Sequence, residues 1–172
     1  MLVVLAAAGC GDDDARPATT TTAEPAPATL PAEVDPGRGF LILDGQTTVL
    51  TVTACTFDPV IDDATGVTTE LTVAAQDAGG RTVDIVRSTF TADVPTVTDT
   101  ITITGEGGAA LESSRADAGG RQIDLRVPNP VGSLLEVDAG AGTVGASGVF
   151  GPVGGRADDP ANVDGELVLR CP

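Results

Sequence analysis

The sequence predicts an all-β fold, a small antiparallel β-sandwich or barrel-like domain behind a disordered N-terminal tether. Three observations carry this. Apolar residues recur at every second position in several short runs, and Gly, Asp and Pro separate those runs. Aromatic residues make up only 2% of the chain, with no Trp and no Tyr, so a core must come from Val, Leu, Ile, Ala and Thr methyls. Such β-branched side chains fit a pleated surface better than a helical turn.

The alternating runs follow in order along the chain. Thr48 to Phe57 places Leu50, Val52 and Ala54 on one predicted face. Leu71 and Val73 alternate with Thr72, and Val83 and Ile85 flank Asp84. Ile101 and Ile103 sit among Thr100, Thr102 and Thr104. Ile123, Leu125 and Val127 alternate with Asp124 and Arg126, and Leu167 and Leu169 close the series before Cys171. No stretch carries a helical stripe with caps. The Gly-rich region from Val131 to Gly155 yields no strand assignment.

One nine-residue pattern occurs twice. Asp77-Ala78-Gly79-Gly80-Arg81-Thr82-Val83-Asp84-Ile85 returns as Asp117-Ala118-Gly119-Gly120-Arg121-Gln122-Ile123-Asp124-Leu125. Gly-Gly supplies the positive φ of a tight turn, so each copy is expected to be a hairpin connection. A phosphate-cradling loop would need a following Lys-Ser/Thr and a helix, and neither follows.

The N-terminus reads as an address. Leu2 to Ala8 form an apolar run of seven residues, far below the about 20 needed to cross a bilayer as a helix. They match the hydrophobic part of a signal peptide, here residues 1–9, expected to be removed. Ala7, Ala8 and Gly9 are small enough for an extended backbone to enter a peptidase groove, and Cys10 can then carry diacylglycerol as a thioether. This arrangement resembles the bacterial lipobox, although Leu is commoner three residues before the Cys. The positive segment that normally precedes such a run is missing, because Leu2 follows Met1 directly; the reading favours a start placed too late. Residues 10–35 shift to Asp, Thr, Pro and Ala, too polar to offset the entropy of ordering, and form the tether. Its prolines favour an extended form reaching roughly 70 Å at most. Thr beside Pro marks Thr19, Thr20, Thr21, Thr22 and Thr29 as candidate O-glycosylation positions. The folded domain is expected over residues 36–172.

Formal net charge is −16, which opposes binding to nucleic acid and adsorption onto anionic lipid. Membrane attachment must then be covalent, through Cys10. The absence of Lys beside abundant Ala, Gly, Val, Asp, Arg and Pro points to GC-rich coding and an actinobacterial source. Of the three cysteines, lipidation of Cys10 leaves Cys55 and Cys171, which an oxidising envelope would let bridge. Two free thiols, or a thiolate metal site recruiting carboxylates, are the alternatives.

Leu43-Asp44-Gly45 before Thr51-Val52-Thr53-Ala54-Cys55, the Thr-rich tether behind a lipobox, and the terminal Gly165-Glu166-Leu167-Val168-Leu169-Arg170-Cys171 together resemble the nineteen-kilodalton mycobacterial lipoprotein antigen family. The likeness covers the layout and the two ends of the domain. It implies a surface lipoprotein whose acyl chains are sensed by innate immune receptors, with a modified Thr-rich linker, and it does not imply an enzyme.

Catalytic signatures are missing from the sequence. There is no His, and none of the five Ser stands in Gly-x-Ser-x-Gly. Asp62-Asp63 and Asp158-Asp159 lack the alternating spacing of a calcium loop and are expected to be solvated turn residues. Phe40, Phe57, Phe90 and Phe150 are expected as core or sheet-edge plugs. No catalytic residue, metal or cofactor is therefore assigned. The expected role is a lipid-anchored protein on the extracytoplasmic face of the cell membrane, presenting its domain to a protein or cell-wall partner. The alternative is a lipid or glycolipid carrier with an internal cavity.

Overall fold

A computed structural model describes residue 29, residues 31–119, the backbone of 121–124, and residues 134–172. The fold is all-β, with no helix among the described residues. Eleven strands succeed one another: β1 (Arg38–Leu43), β2 (Gln46–Thr56), β3 (Val60–Asp62), β4 (Val67–Gln76), β5 (Thr82–Phe90), β6 (Thr96–Thr104), β7 (Ala110–Ala118), β8 (Arg121–Asp124), β9 (Leu135–Asp138), β10 (Thr143–Pro152) and β11 (Val163–Arg170).

Eight of them close an antiparallel barrel in the order β7-β6-β5-β4-β2-β1-β11-β10, completed where Glu112 and Leu111 of β7 meet Gly151 and Pro152 of β10. β3 adds to β4, β8 to β7 and β9 to β10. Closure leaves a sheet without free edges over most of its circumference.

The alternation read from the sequence holds for most of the core. Leu50, Val52, Leu71, Val73, Val83, Ile85, Ile101, Ile103, Leu167 and Leu169 are all buried and pack in one cluster. Fully burying each such side chain contributes about 1.5–3 kcal/mol. Phe150 is the largest fully buried side chain, Phe57 packs at the margin of the cluster and Phe90 is exposed. The Phe150 ring lies over Gly165, where a Cβ would meet ring carbons at 2.6 Å and Leu43 at 2.8 Å.

One sequence expectation changes. Ala54 does not face the core: a β-bulge between Val52 and Ala54 inserts Thr53 and reverses the phase, so Ala54 is exposed. Cys55 and Phe57 pack against the core in its place. A bulge adds one residue against the partner strand, so inward and outward positions exchange. The Gly-rich region does contain strands, β9 and β10. Of the run Ile123 to Val127, Ile123 and Asp124 lie in β8, and Leu125 to Val127 lie outside the described residues.

Both copies of the repeated pattern connect hairpins, but differently. In the first, Gln76 pairs with Thr82 across a loop in which the Asp77 carboxylate accepts hydrogen bonds from the Gly79 and Arg81 amides at 2.8 and 2.9 Å. In the second, Asp117 lies within β7, and Ala118 pairs directly with Arg121. Gly80 at φ 85° and Gly119 at φ 59° provide the turns.

Candidate functional site

The connections divide the barrel into two rims. One carries the loops joining β1 to β2, β4 to β5, β6 to β7 and β10 to β11. At the other, the described chain enters through residues 31–37, β1 begins and β11 ends. There Val34 is buried, and its carbonyl accepts a hydrogen bond from Arg170 Nη1 at 3.2 Å. This N-terminal rim gathers the features with chemical content.

Cys55 and Cys171 form a disulfide here, with Cα atoms 5.9 Å apart and a sequence separation of 116. Neighbouring strands lie about 4.8 Å apart, so strands separated by a third are about 10 Å apart, too far for a disulfide. β1 does separate β2 from β11, but it starts only at Arg38, paired with Thr51 and Arg170. Beyond that level the space between β2 and β11 is open, and the bridge fills it. The bulge at Thr53 turns Cys55 inward to meet its partner. Thr53 Oγ1 donates to the Ala74 carbonyl at 3.1 Å across the same irregularity.

Outside the bridge lies a groove of about 600 Å³, bounded by β2 residues Thr53 to Cys55, by Phe57, by the Ala139–Gly142 turn and by Pro172. The Cys171 amide donates to Gly142 O at 2.8 Å, which holds that turn against the C-terminal end.

Just inside this rim a row of charge crosses the wall. Arg87, Asp99 and Arg115 stand opposite one another on β5, β6 and β7, in the phase that buries Ile85, Ile101 and Ser113 one step further in. Asp99 is 2% exposed and Arg115 is buried. Arg87 Nε and Nη2 donate to the two Asp99 oxygens at 2.7 and 3.0 Å. The same pair grips β9: Leu135 N donates to Asp99 Oδ2 at 3.1 Å, and Arg87 Nη2 donates to Leu135 O at 2.9 Å. The Asp99 hydrogen bonds raise the Arg87 guanidinium above its ordinary value against the cost of burial, with a further contribution from Glu70. Thr89 Oγ1 in turn donates to Glu70 at 2.5 Å. This bidentate pair fixes where β9 docks, and Leu134 and Leu135 are buried beneath it.

Of the residues singled out by sequence, Cys55 and Cys171 meet in a bond. Cys10 and Thr19 to Thr22 lie outside the described residues, and Thr29 is exposed. Asp62 and Asp159 cap their own turns, Asp62 through Ala64 N at 3.0 Å and Thr65 Oγ1 at 2.7 Å, Asp159 through Ala161 N at 2.9 Å. Asp158 pairs with Arg156 at 3.4 Å in full exposure. Among the described residues no group of His, Cys, Asp or Glu is arranged to hold a metal ion. Sequence reasoning missed the Arg87–Asp99 pair. Its signal was present: Arg87 continues the phase of Val83 and Ile85, and Asp99 that of Ile101 and Ile103, so both belong to the inward face.

Neither known protein families, curated proteins nor solved structures yield a match to the chain.

Proposed function

We propose that this protein is a lipid-anchored lipoprotein of the cell envelope, held by diacylglycerol on Cys10 at the extracytoplasmic face and presenting its barrel to a protein or cell-wall partner. The observation that carries the reading is the Cys55–Cys171 bridge. It uses two of three cysteines and leaves Cys10, behind the apolar run Leu2 to Ala8, as the one thiol to be explained. A disulfide spanning most of the domain also suits an exported protein.

The arrangement of the rims supports display. The tether reaches the barrel at the disulfide rim, so the four hairpin loops at the opposite rim point away from the anchor. The filled interior, from Leu41 and Leu50 through Ile85 and Ile101 to Phe150 and Leu167, favours this role over that of a lipid carrier, which needs internal volume. The resemblance to the nineteen-kilodalton mycobacterial lipoprotein antigens agrees with the same reading, and no enzymatic role is assigned.

Two acyl chains, at about 0.8 kcal/mol per buried methylene, hold a protein firmly. Fractionation of an actinobacterial host expressing Cys10→Ala tests the anchor. The wild-type chain is expected in the membrane fraction and the variant in the soluble one. A variant that stays with the membrane in high salt rules the lipid assignment out.

A further inference from the structure

We propose that the outer edge of the chain from Thr56 to Asp62 is a docking site for an extended, cationic peptide segment, which adds to the sheet as a further strand. The proposal stands whether or not Cys10 carries lipid.

The edge exists because β3 continues the line of β2. Both pair with the same edge of β4, β2 through Thr72–Gln76 and β3 through Val67–Thr69, while β5 covers the other edge of β4. On the far side, β1 protects β2 only as far as Thr51, with one more bond from Val52 N to Gly37 O. The disulfide then holds Cys171 too close to Cys55 for a strand to enter between them. Beyond it, no described strand pairs with residues 56–62 on that side.

Side chains on the edge match an occupant of defined character. Val60 and Ile61 are 62% and 68% exposed, the two most exposed large apolar residues described, and being adjacent in a strand they face opposite ways. No burial on a single face of the barrel accounts for both, whereas a strand laid alongside contacts both faces at once. Asp58, Asp62 and Asp63 flank them, all exposed and with no cation between. Hydrogen bonds from Thr65 and Ala64 hold Asp62 below its ordinary value, so it remains charged at any physiological pH. Three carboxylates disfavour an anionic lipid surface and disfavour pairing with a second copy of the same edge. A segment bearing Lys or Arg beside apolar residues satisfies the backbone, the apolar pair and the charge together.

The test uses the full chain and a labelled, capped decapeptide with a Val-Thr repeat between paired lysines, followed by fluorescence polarisation and amide hydrogen exchange. Saturable binding is expected, with slowed exchange confined to residues 56–62 and affinity falling as salt rises. Ile61→Lys is expected to weaken binding about tenfold, whereas Val153→Lys, at an exposed site on the other rim, leaves it unchanged. Equal binding of the same peptide with Glu for Lys overturns the proposal. So does slowed exchange elsewhere, or no saturation at about 1 mM peptide. Sedimentation of the chain with phosphatidylcholine vesicles that is lost in Ile61→Lys would assign the edge to lipid instead.

Discussion

The two rims of this barrel solve the same problem with different means. At the hairpin rim, neighbouring strands are joined by three short turns and the longer 153–162 loop, and β7 pairs directly with β10 near that end. There the interior is apolar up to Phe150, seated over Gly165. At the N-terminal rim β1 has not yet begun, and β7 and β10 part to pair with β8 and β9 instead. Elements that are not ladder partners must be held together here. A disulfide joins β2 to the residue after β11, and a buried ion pair joins β5 and β6 to β9. Where turns and ladders close a barrel, packing suffices; where the ladder opens, covalent and ionic cross-links replace it.

If this division is right, the rims respond unequally to substitution. The largest effect belongs to the disulfide. With the cysteines 116 positions apart in sequence, chain entropy sets a ceiling of about 4–5 kcal/mol on its contribution. Cys171→Ser is expected to lower the denaturant midpoint accordingly and to expose the groove-side amides to exchange first. Next comes Asp99→Asn, which leaves the Arg87 guanidinium without its carboxylate. Breaking a buried pair costs about 3–5 kcal/mol, and the 17% exposure of Arg87 brings the expectation to about 2–3 kcal/mol. A double variant with Arg87→Met is expected to lose less than the sum of the single losses, because the stranded charge is gone. Additive losses would mean that the two residues act separately.

At the hairpin rim the expected effect is smaller. Gly165→Ala forces the Phe150 ring to move, at about 1–3 kcal/mol, without loosening β9. Matching loss of protection at Leu135 would contradict the separation of the rims. The smallest effect is pH-dependent and concerns the turn after β3. Asp62 has a folded value lowered chiefly by Thr65 and then by Ala64. Its contribution is therefore complete above the ordinary value of 3.8 and disappears as pH falls through the lowered one. Amides 64–66 are expected to lose protection only in that acidic window, and not in Asp62→Asn.

Much of the fold was legible because a half-buried strand writes its burial in period two. Leu71, Val73, Val83, Ile85, Ile101, Ile103, Leu167 and Leu169 are the plain cases. The features that escaped are those where the period breaks or the inward residue is polar. β7 reads Ala-Leu-Glu-Ser-Ser-Arg-Ala-Asp-Ala, and its inward positions Ser113 and Arg115 look like surface. β10 carries three glycines within its first nine positions, which dilutes any alternation. The bulge at Thr53 leaves no mark in composition, yet it decides that Cys55 and not Ala54 faces inward. The two Asp-Ala-Gly-Gly-Arg copies make the same point. Identical pentads give a capped loop at Asp77 and a tight turn beyond Asp117, because the paired strands and not the pentad set the register. Of the site, cysteine arithmetic found the bridge, while the Arg87–Asp99 grip on β9 required knowing that β9 docks there.

One measurement bears most directly on the account: the intact mass of the protein extracted from envelope membranes, alkylated without reductant. It predicts a chain beginning at Cys10, heavier by a diacylglycerol group and carrying no alkyl group on Cys55 or Cys171. An unprocessed chain alkylated at Cys10 would contradict the anchor, and alkylation of the other two thiols would contradict the bridge that holds the open rim together.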